Sequence, residues 1–255
     1  PARRAAALAA ADAAGAAIRP YFRAGLAADL KVDQTPVTLA DRAAEQAMRS
    51  VLAAACPGDG ILGEEDGLDR AEARLRWVID PIDGTRAFIT GRPTFGTLIG
   101  LLENGVPVLG IIDQPVTGER WIGVRGEATQ FTGGFGGQVG TRPCPRLAEA
   151  ELSCTDPSMF AADPTPWQRL AAAARRVSLG GDCYAYGLLA LGQIDVIAEA
   201  TLKVWDWAAL VPVIEGAGGR MTDWTGAPLR AEGDGRAVAV GDPALLAEAL
   251  RLLGS

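Results

Sequence analysis

The stretch that decides the fold is residues 77–88, which read Trp-Val-Ile-Asp-Pro-Ile-Asp-Gly-Thr-Arg-Ala-Phe. Three apolar residues at its start predict a buried strand that ends on Asp80. Pro81 has no backbone N–H to donate, so we expect the hydrogen-bonded ladder of the strand to stop there. Residues 83–85 then predict a turn or the start of a helix. The stretch therefore predicts a sharp corner that carries two carboxylates.

Those carboxylates, Asp80 and Asp83, are three residues apart, and the peptide carbonyl of Ile82 lies between them in the chain. Carboxylate and carbonyl oxygens are the ligands that Mg²⁺ prefers. If a helix begins here, the amides of Gly84 and Thr85 are available to bind a phosphate. The pattern predicts metal-dependent chemistry on a phosphate ester.

The composition excludes several other kinds of site. There is no histidine among the 255 residues, which excludes Ser-His-Asp and Cys-His sites and His-ligated zinc. A formal net charge of −7 argues against nucleic acid or an anionic membrane surface as the main partner. Four scattered cysteines without a CxxC pair favour reduced thiols, and no apolar run reaches the roughly 20 residues that span a bilayer. We therefore expect a cytoplasmic protein.

Hydrophobic periodicity predicts a helix at 3–28 with a break at Pro20, and a second at 38–55 capped by Thr38. The Ala-rich N-terminus is expected to be a helix of the mature protein, because Asp12 interrupts what could otherwise resemble a signal peptide. Strands are predicted at 61–66, 94–102, 106–112, 119–124, 150–154, 176–179, 194–198 and near 219–223, and later helices at 166–174, 183–191, 206–218 and 243–253.

The Gly-rich stretch at 126–145 predicts a mobile hairpin at a boundary between two lobes. It is not followed by Lys-Ser/Thr, so a nucleotide-binding P-loop is not expected. We expect lobes at 1–145 and 146–255.

Two further acidic clusters accompany the corner. Glu64-Glu65-Asp66 ends a predicted strand, and Asp206 opens an apolar helix between two tryptophans. Taken alone, the first cluster is typical of a solvated turn and Asp206 of a helix N-cap. Their occurrence together with the corner favours one shared site.

Gly-Glu-Glu at 63–65, Asp-Pro-Ile-Asp-Gly-Thr at 80–85 and Trp-Asp at 205–206 are similar to the three signatures of the inositol monophosphatase family, in the same order. The resemblance runs from about residue 5 to 250. It implies an α+β fold, a layered α/β/α/β/α sandwich, in which the first lobe carries the metal motifs and the second completes the site. It also implies a homodimer.

The resemblance implies two to three Mg²⁺ ions per site. Glu64, Asp80 and the Ile82 carbonyl would hold one ion, which activates a water. A second ion, between Asp80, Asp83 and Asp206, would neutralise the oxygen of the leaving group. A third, looser ion would lie against Glu64 and waters.

Further roles follow from the same resemblance. Thr85, paired with Asp41, would orient and deprotonate the attacking water, and Glu65 would support the water network. Lys31 resembles the family's lysine near the active-site loop. Without the resemblance, Asp41 could equally be an exposed acid in the first turn of its helix. A haloacid dehalogenase-like mechanism is not expected, because that class needs Asp-x-Asp-Gly-Thr and this chain has Asp-x-x-Asp-Gly-Thr at 80–85.

Within the family, Arg-Ala-Phe at 86–88 and Gly-Gly-Asp-Cys-Tyr-Ala-Tyr-Gly at 180–187 resemble the histidinol-phosphate phosphatase branch. Histidinol phosphate carries an amine and an imidazole, so its pocket should contain anionic groups. Asp182 and Glu199 occupy positions where the family contacts the leaving group. The alternatives are an ordinary solvated loop residue and a strand-end surface acid, and Tyr186 is expected to pack in the core.

The sequence thus predicts a Mg²⁺-dependent phosphatase that hydrolyses histidinol phosphate in histidine biosynthesis. One alternative is an inositol-1-phosphate or broad-specificity sugar phosphatase. A non-enzymatic alternative is an idle metal-binding regulatory module. The expected partner is a small phosphate monoester, with neither nucleic acid nor membrane.

Overall fold

The computed structural model describes residues 1–24, 29–30, 36–37 and 39–254. Lys31 and the predicted cap Thr38 lie outside the described residues. The first predicted helix begins at Ala2 but ends at Ile18, and a 3₁₀ turn containing Pro20 follows it. The break predicted at this proline is therefore confirmed, although it comes at the end of the helix.

The strands of the described residues are β1 Asp29–Leu30, β2 Pro36–Val37, β3 Gly60–Gly63, β4 Gly67–Asp69, β5 Leu75–Asp83, β6 Gly96–Glu103, β7 Val106–Gln114, β8 Glu119–Val124, β9 Gln130–Thr132, β10 Glu151–Cys154, β11 Arg176–Leu179, β12 Val196–Glu199, β13 Arg220–Thr222 and β14 Ala237–Val240. The α-helices are α1 Ala2–Ile18, α2 Leu39–Ala55, α3 Thr85–Ile89, α4 Thr165–Ala173, α5 Asp182–Ala190, α6 Val204–Trp207, α7 Leu210–Gly216 and α8 Leu246–Gly254. None of these helices is both long and apolar enough to cross a bilayer.

Most of the predicted elements are present within a few residues. The helix predicted at 206–218 is two helices, α6 and α7. The strands that were not predicted are β1, β2, β4, β9 and β14. The Gly-rich stretch forms no separate hairpin, because only β9 pairs, and it pairs with β8.

Two sheets form the framework. The larger has the order β4-β3-β5-β6-β7-β8-β9 and is antiparallel except for the β3–β5 pair. The smaller has the order β11-β10-β12-β14-β13, with its parallel pairs around β10. The central strands of each sheet are buried on both faces, which explains why they are nearly continuous apolar runs in the sequence, whereas the edge strands β4, β9 and β11 are largely exposed.

The layers are α/β/α/β/α, as predicted. Helices α1 and α2 cover one face of the larger sheet, where Met48, Trp77 and Ile99 share a core. Helices α5 to α7 lie between the two sheets. Helices α4 and α8 cover the outer face of the smaller sheet, where Trp167 and Leu245 are buried.

The strand that carries Asp80 does not end there, so this detail of the prediction is wrong. β5 continues through Pro81 to Asp83, and its register against β6 shifts between Asp80 and Asp83. Pro81 lies in that bulge, where its missing N–H costs no ladder hydrogen bond. The hydroxyl of Thr97 on β6 donates to the Pro81 carbonyl at 2.7 Å.

In a regular strand, residues three apart face opposite sides, so the extra residue of the bulge turns both carboxylates to the same side.

A row of glycines lets the central helices approach the larger sheet. Gly100, Gly110 and Gly123 are directly paired across β6, β7 and β8. A Cβ atom on Gly110 would lie 1.9 Å from the carbonyl oxygen of Ala209, and one on Gly123 would lie 2.3 Å from the carbonyl carbon of Pro212. Only glycine therefore fits beneath the backbone that leads from α6 into the first turn of α7.

We expect Gly110→Ala to destabilise the protein by about 1–3 kcal/mol, because the added methyl group must displace the backbone of Ala209. Urea unfolding followed by circular dichroism measures this effect. Gly134→Ala is the control, since no atom lies within 4 Å of the corresponding Cβ position. Equal unfolding midpoints for the two variants would contradict the assigned packing.

Candidate active site

Three carboxylates converge between the two sheets. Each contributes one carboxylate oxygen, and these three oxygens, from Asp80, Asp83 and Asp206, all lie within 4.8 Å of one another. The first two are carried by the bulge of β5, and Asp206 lies on α6, above the glycine row. The structure thus brings together residues that are widely separated in the sequence.

The geometry of Asp206 differs from the N-cap alternative. Lys203 is the N-cap of α6, and Asp206 is the third helical residue. One of its carboxylate oxygens accepts a hydrogen bond from the Lys203 backbone N–H at 2.6 Å. This bond closes the first turn of the helix and orients the carboxylate.

The corner after β5 begins a short helix. Gly84 has a φ of 88°, in the left-handed region that favours glycine, and it precedes α3. The hydroxyl of Thr85 donates to the Ile82 carbonyl at 3.2 Å. The amides of Gly84 and Thr85 belong to the first turn, where backbone N–H groups have no acceptor within the helix.

The second half of the chain contacts this corner directly. The backbone N–H of Cys183, at the start of α5, donates to Asp83 at 2.6 Å. A Cβ on Gly84 would lie 2.8 Å from the Cγ of Asp182, so a larger residue there would push the two segments apart. Cys183 itself is buried, as expected for a packed thiol.

Burial and mutual repulsion perturb these carboxyls strongly. Desolvation raises the pKa of Asp80 well above its usual range, and the charges of Glu64 and Asp83 raise it further. Desolvation likewise raises the pKa of Asp83 well above its usual range, with Asp182 and Asp206 as the next causes. The pKa of Asp206 rises to about 7, mainly because the group is buried.

The residues present fit a divalent cation. Among the described residues, Oδ1 of Asp80 is buried and has no hydrogen-bond partner. A buried carboxylate oxygen without a donor is costly unless a cation or a proton occupies it. Hard oxygen donors that repel one another favour a hard cation such as Mg²⁺.

Asp41 and the Glu64–Asp66 turn border this group. Asp41 is only 2% exposed, so the alternative of an exposed helix acid is wrong. Glu64 and Glu65 are half-buried rather than solvated, and Glu65 forms an ion pair with Arg42 at 4.0 Å.

A cavity of about 690 Å³ opens beside the corner. Its lining includes Asp83, Thr85, Asp182, Glu199 and Asp206. Burial and the charge of Glu199 raise the pKa of Asp182 to about 6.

Glu199 ends β12 and is 4% exposed, so it is not a surface acid. Its Oε1 accepts the Thr155 backbone N–H at 2.9 Å and, more closely, the Thr155 hydroxyl. Its Oε2 accepts the Tyr186 hydroxyl at 2.9 Å. Tyr186 is buried as expected, but its hydrogen bond to Glu199 was not predicted. Nothing in the sequence signals this network, because its members come from three separate elements.

The comparisons with known proteins agree with this geometry. The profile of the inositol monophosphatase family matches residues 2–253. The chain is 48% identical over 232 residues to the bifunctional phosphatase IMPL2, chloroplastic, of Arabidopsis thaliana, and the match covers 90% of this chain and 66% of that protein. It is 39% identical over 230 residues to a histidinol-phosphatase of Mycobacterium tuberculosis, covering 86% of each.

Among solved structures, an inositol monophosphatase from Zymomonas mobilis superposes with a TM-score of 0.89 at 49% identity, covering 99% of this chain and 98% of that one. The chain belongs to the inositol monophosphatase family. By class it is a phosphoric monoester hydrolase.

The raised carboxyl pKa values predict how the metal-free protein responds to pH. An unfolded Asp titrates near 3.9, whereas Asp206 in the folded protein titrates at about 7. Between these values the folded state binds the additional proton, so stability falls as pH rises. We expect the melting temperature in EDTA to fall from about pH 4 towards pH 7, and Mg²⁺ to restore it at pH 7.5.

Calorimetry of the wild type and Asp206→Asn measures the contribution of this group. The variant should lose less stability across that pH range, because it has no proton to release at position 206. Asp234→Asn, at an exposed position, should follow the wild type. Identical pH slopes for wild type and Asp206→Asn would contradict the assigned titration.

Proposed function

We propose that this protein is a Mg²⁺-dependent phosphomonoesterase that hydrolyses histidinol phosphate to histidinol and phosphate, a step of histidine biosynthesis. The observation that carries the proposal is the pair of acids, Asp182 and Glu199, in the cavity beside the Asp80–Asp83 corner. The similarity to proteins named histidinol-phosphatase, at 36–39% identity, supports the same substrate.

In this proposal Glu64, Asp80, Asp83, Asp206 and the Ile82 carbonyl hold two to three Mg²⁺ ions. Bound Mg²⁺ supplies positive charge to the phosphate oxygens and lowers the pKa of a coordinated water. The carboxylates hold that charge in place at the edge of the cavity.

The other residues of the corner orient the reactants. The amides of Gly84 and Thr85 bind the phosphate at the first turn of α3. Thr85 and Asp41 position the attacking water. The Thr85 hydroxyl takes the proton of the water as it passes its own proton to the Asp41 carboxylate, which requires the hydroxyl to turn away from the Ile82 carbonyl. Glu65 supports the water network from the neighbouring turn. Lys31, outside the described residues, is proposed to act at the loop near the site.

The leaving group carries positive charge and meets the acidic end of the cavity. Asp182, with a pKa of about 6, is mostly ionised at pH 7 and more so beside a cation. Each oxygen of Glu199 has already accepted from Thr155 or Tyr186. A carboxylate offers about four lone-pair sites, so Glu199 can accept from an ammonium or imidazole N–H as well.

The second candidate is an inositol-1-phosphate or broad-specificity sugar phosphatase. The high similarity to an inositol monophosphatase from Zymomonas mobilis and to a phosphatase named bifunctional supports it. Both candidates use the same metal corner and differ only at the leaving-group end of the cavity.

We also propose that the protein is a cytoplasmic homodimer whose lobes are 1–145 and 146–255. Four cysteines, all buried and unpaired, suit a reducing compartment. The edge strand β11 exposes Val177 and Leu179, and Phe135 is 76% exposed, so apolar surface is available for a second copy. Each lobe contributes one of the two large sheets.

The decisive experiment is phosphate release from histidinol phosphate and inositol-1-phosphate, measured side by side with Mg²⁺ and again with EDTA. We expect kcat/KM to favour histidinol phosphate and activity to disappear in EDTA. Asp83→Asn should lose most activity, because it removes a negative charge from the carboxylates of Asp80, Asp83 and Asp206, here called the metal group. Preference for the inositol ester would select the second candidate, and full activity in EDTA would overturn the metal-dependent mechanism.

Glu199→Gln tests the recognition of a cationic leaving group. We expect kcat/KM for histidinol phosphate to fall roughly 10- to 100-fold, as for the loss of a hydrogen bond to a charged group. Glycerol phosphate, which carries no cation, should be affected much less. Glu149→Gln, at an exposed acid, is the control. Equal losses for both substrates would refute the role of Glu199 as a cation partner.

A further inference from the structure

A buried carboxylate outside the metal group supports the turn that carries Glu64 and Glu65. Glu45 lies on α2 and is 0% exposed. Its Oε2 accepts the backbone N–H of Glu65 at 2.8 Å, and its Oε1 accepts that of Asp66 at 3.0 Å. One side chain thus satisfies two successive amides of the turn between β3 and β4.

Arg49 completes this arrangement one helical turn later. Its Nε donates to Glu45 Oε1 at 2.8 Å, which balances the buried charge. Its guanidinium also donates to the Gly67 carbonyl, where β4 begins. The two residues therefore hold the middle and the C-terminal end of the Glu64–Asp66 turn against α2.

The sequence of the turn leaves room for the Glu45 carboxylate. A Cβ on Gly63 would lie 2.0 Å from Glu45 Oε1, so only glycine allows the carboxylate to reach the turn. The glycine of the Gly-Glu-Glu motif is thus explained by a contact with a residue outside the motif.

The same helix carries Asp41, one turn before Glu45. Residues at i, i+4 and i+8 share one face of a helix, so Asp41, Glu45 and Arg49 form a line along α2. The helix therefore sets the distance between Asp41 and the turn that carries Glu64 and Glu65.

We propose that Glu45 is a positioning residue that holds Glu64 and Glu65 at the metal group. The inference rests on the proposed role of Glu64 as a metal ligand. Glu45 is not a ligand in this arrangement: both its oxygens accept backbone N–H groups. It acts by removing conformational freedom from the turn, so that Glu64 does not have to be ordered when the metal binds.

Glu45→Gln tests the inference with little change of shape. The glutamine amide keeps one acceptor, but its NH₂ group must face one of the two backbone N–H groups or Arg49. We expect hydrogen exchange of the Glu65 and Asp66 amides, followed by NMR in EDTA, to become faster. We expect Mg²⁺ affinity, measured by calorimetry without substrate, to weaken roughly tenfold, as for the loss of other groups that orient metal ligands.

Asp195→Asn is the matched control for loss of a buried charge. Asp195 is 1% exposed and pairs with Arg142, at the end of β12 remote from Glu199. This variant should lower the melting temperature while leaving Mg²⁺ affinity unchanged. If Glu45→Gln does not fold, Glu45→Asp retains the charge but withdraws it by one methylene, and it should weaken Mg²⁺ binding in the same direction.

Unchanged exchange of the Glu65 and Asp66 amides would overturn the inference, and so would wild-type Mg²⁺ affinity in the variant. Failure of the proposed metal site gives a different result, because the wild type itself would then bind no Mg²⁺. Preference for the inositol ester would leave this inference standing, because both candidate functions use the same metal corner.

Discussion

Close contact between the backbone of residues 208–213 and three paired glycines is the constraint on which the site depends. Gly100, Gly110 and Gly123 leave no side chain between the larger sheet and the backbone that leads from α6 into α7. Because α6 carries Asp206 and runs directly into this backbone, the contact helps to position Asp206 relative to the Asp80–Asp83 pair. The arrangement of the three carboxylates therefore depends on backbone packing as well as on charge.

The electrostatic design follows from that packing. Several carboxylates are buried together, and their raised pKa values show that the folded protein bears a free-energy cost when they ionise without a counter-charge. The repulsion among these carboxylates is therefore the reason why the group favours binding of a cation. Glu45 and Glu199 differ from this group because each has its own set of hydrogen-bond donors, and those donors hold each carboxylate in one orientation.

The sequence was sufficient to predict most elements and the three acidic motifs, because periodicity and motif order are local properties. The order of the five layers was predicted only from the resemblance to the family. The sequence correctly predicted that Asp80 and Asp83 face the same cleft, but the structural reason was wrong. A bulge within the strand, and not the end of the strand, turns both side chains to one side. The partners of Glu199 and the contact of Glu45 with the turn were not predictable. These contacts join residues that are far apart in the sequence, so only the folded structure shows them. They link Glu199 to Thr155 and Tyr186, and Glu45 to the turn after Gly63.

The assembly of the site from both sheets has a consequence for folding during synthesis. Asp80 and Asp83 leave the ribosome long before Asp206, and α5, which donates to Asp83, also comes later in the chain. A nascent chain that contains only the larger sheet therefore has an incomplete carboxylate group and an uncovered glycine row. A metal that needs all three carboxylates cannot assist these early stages, so the larger sheet forms before the proposed ion site is complete.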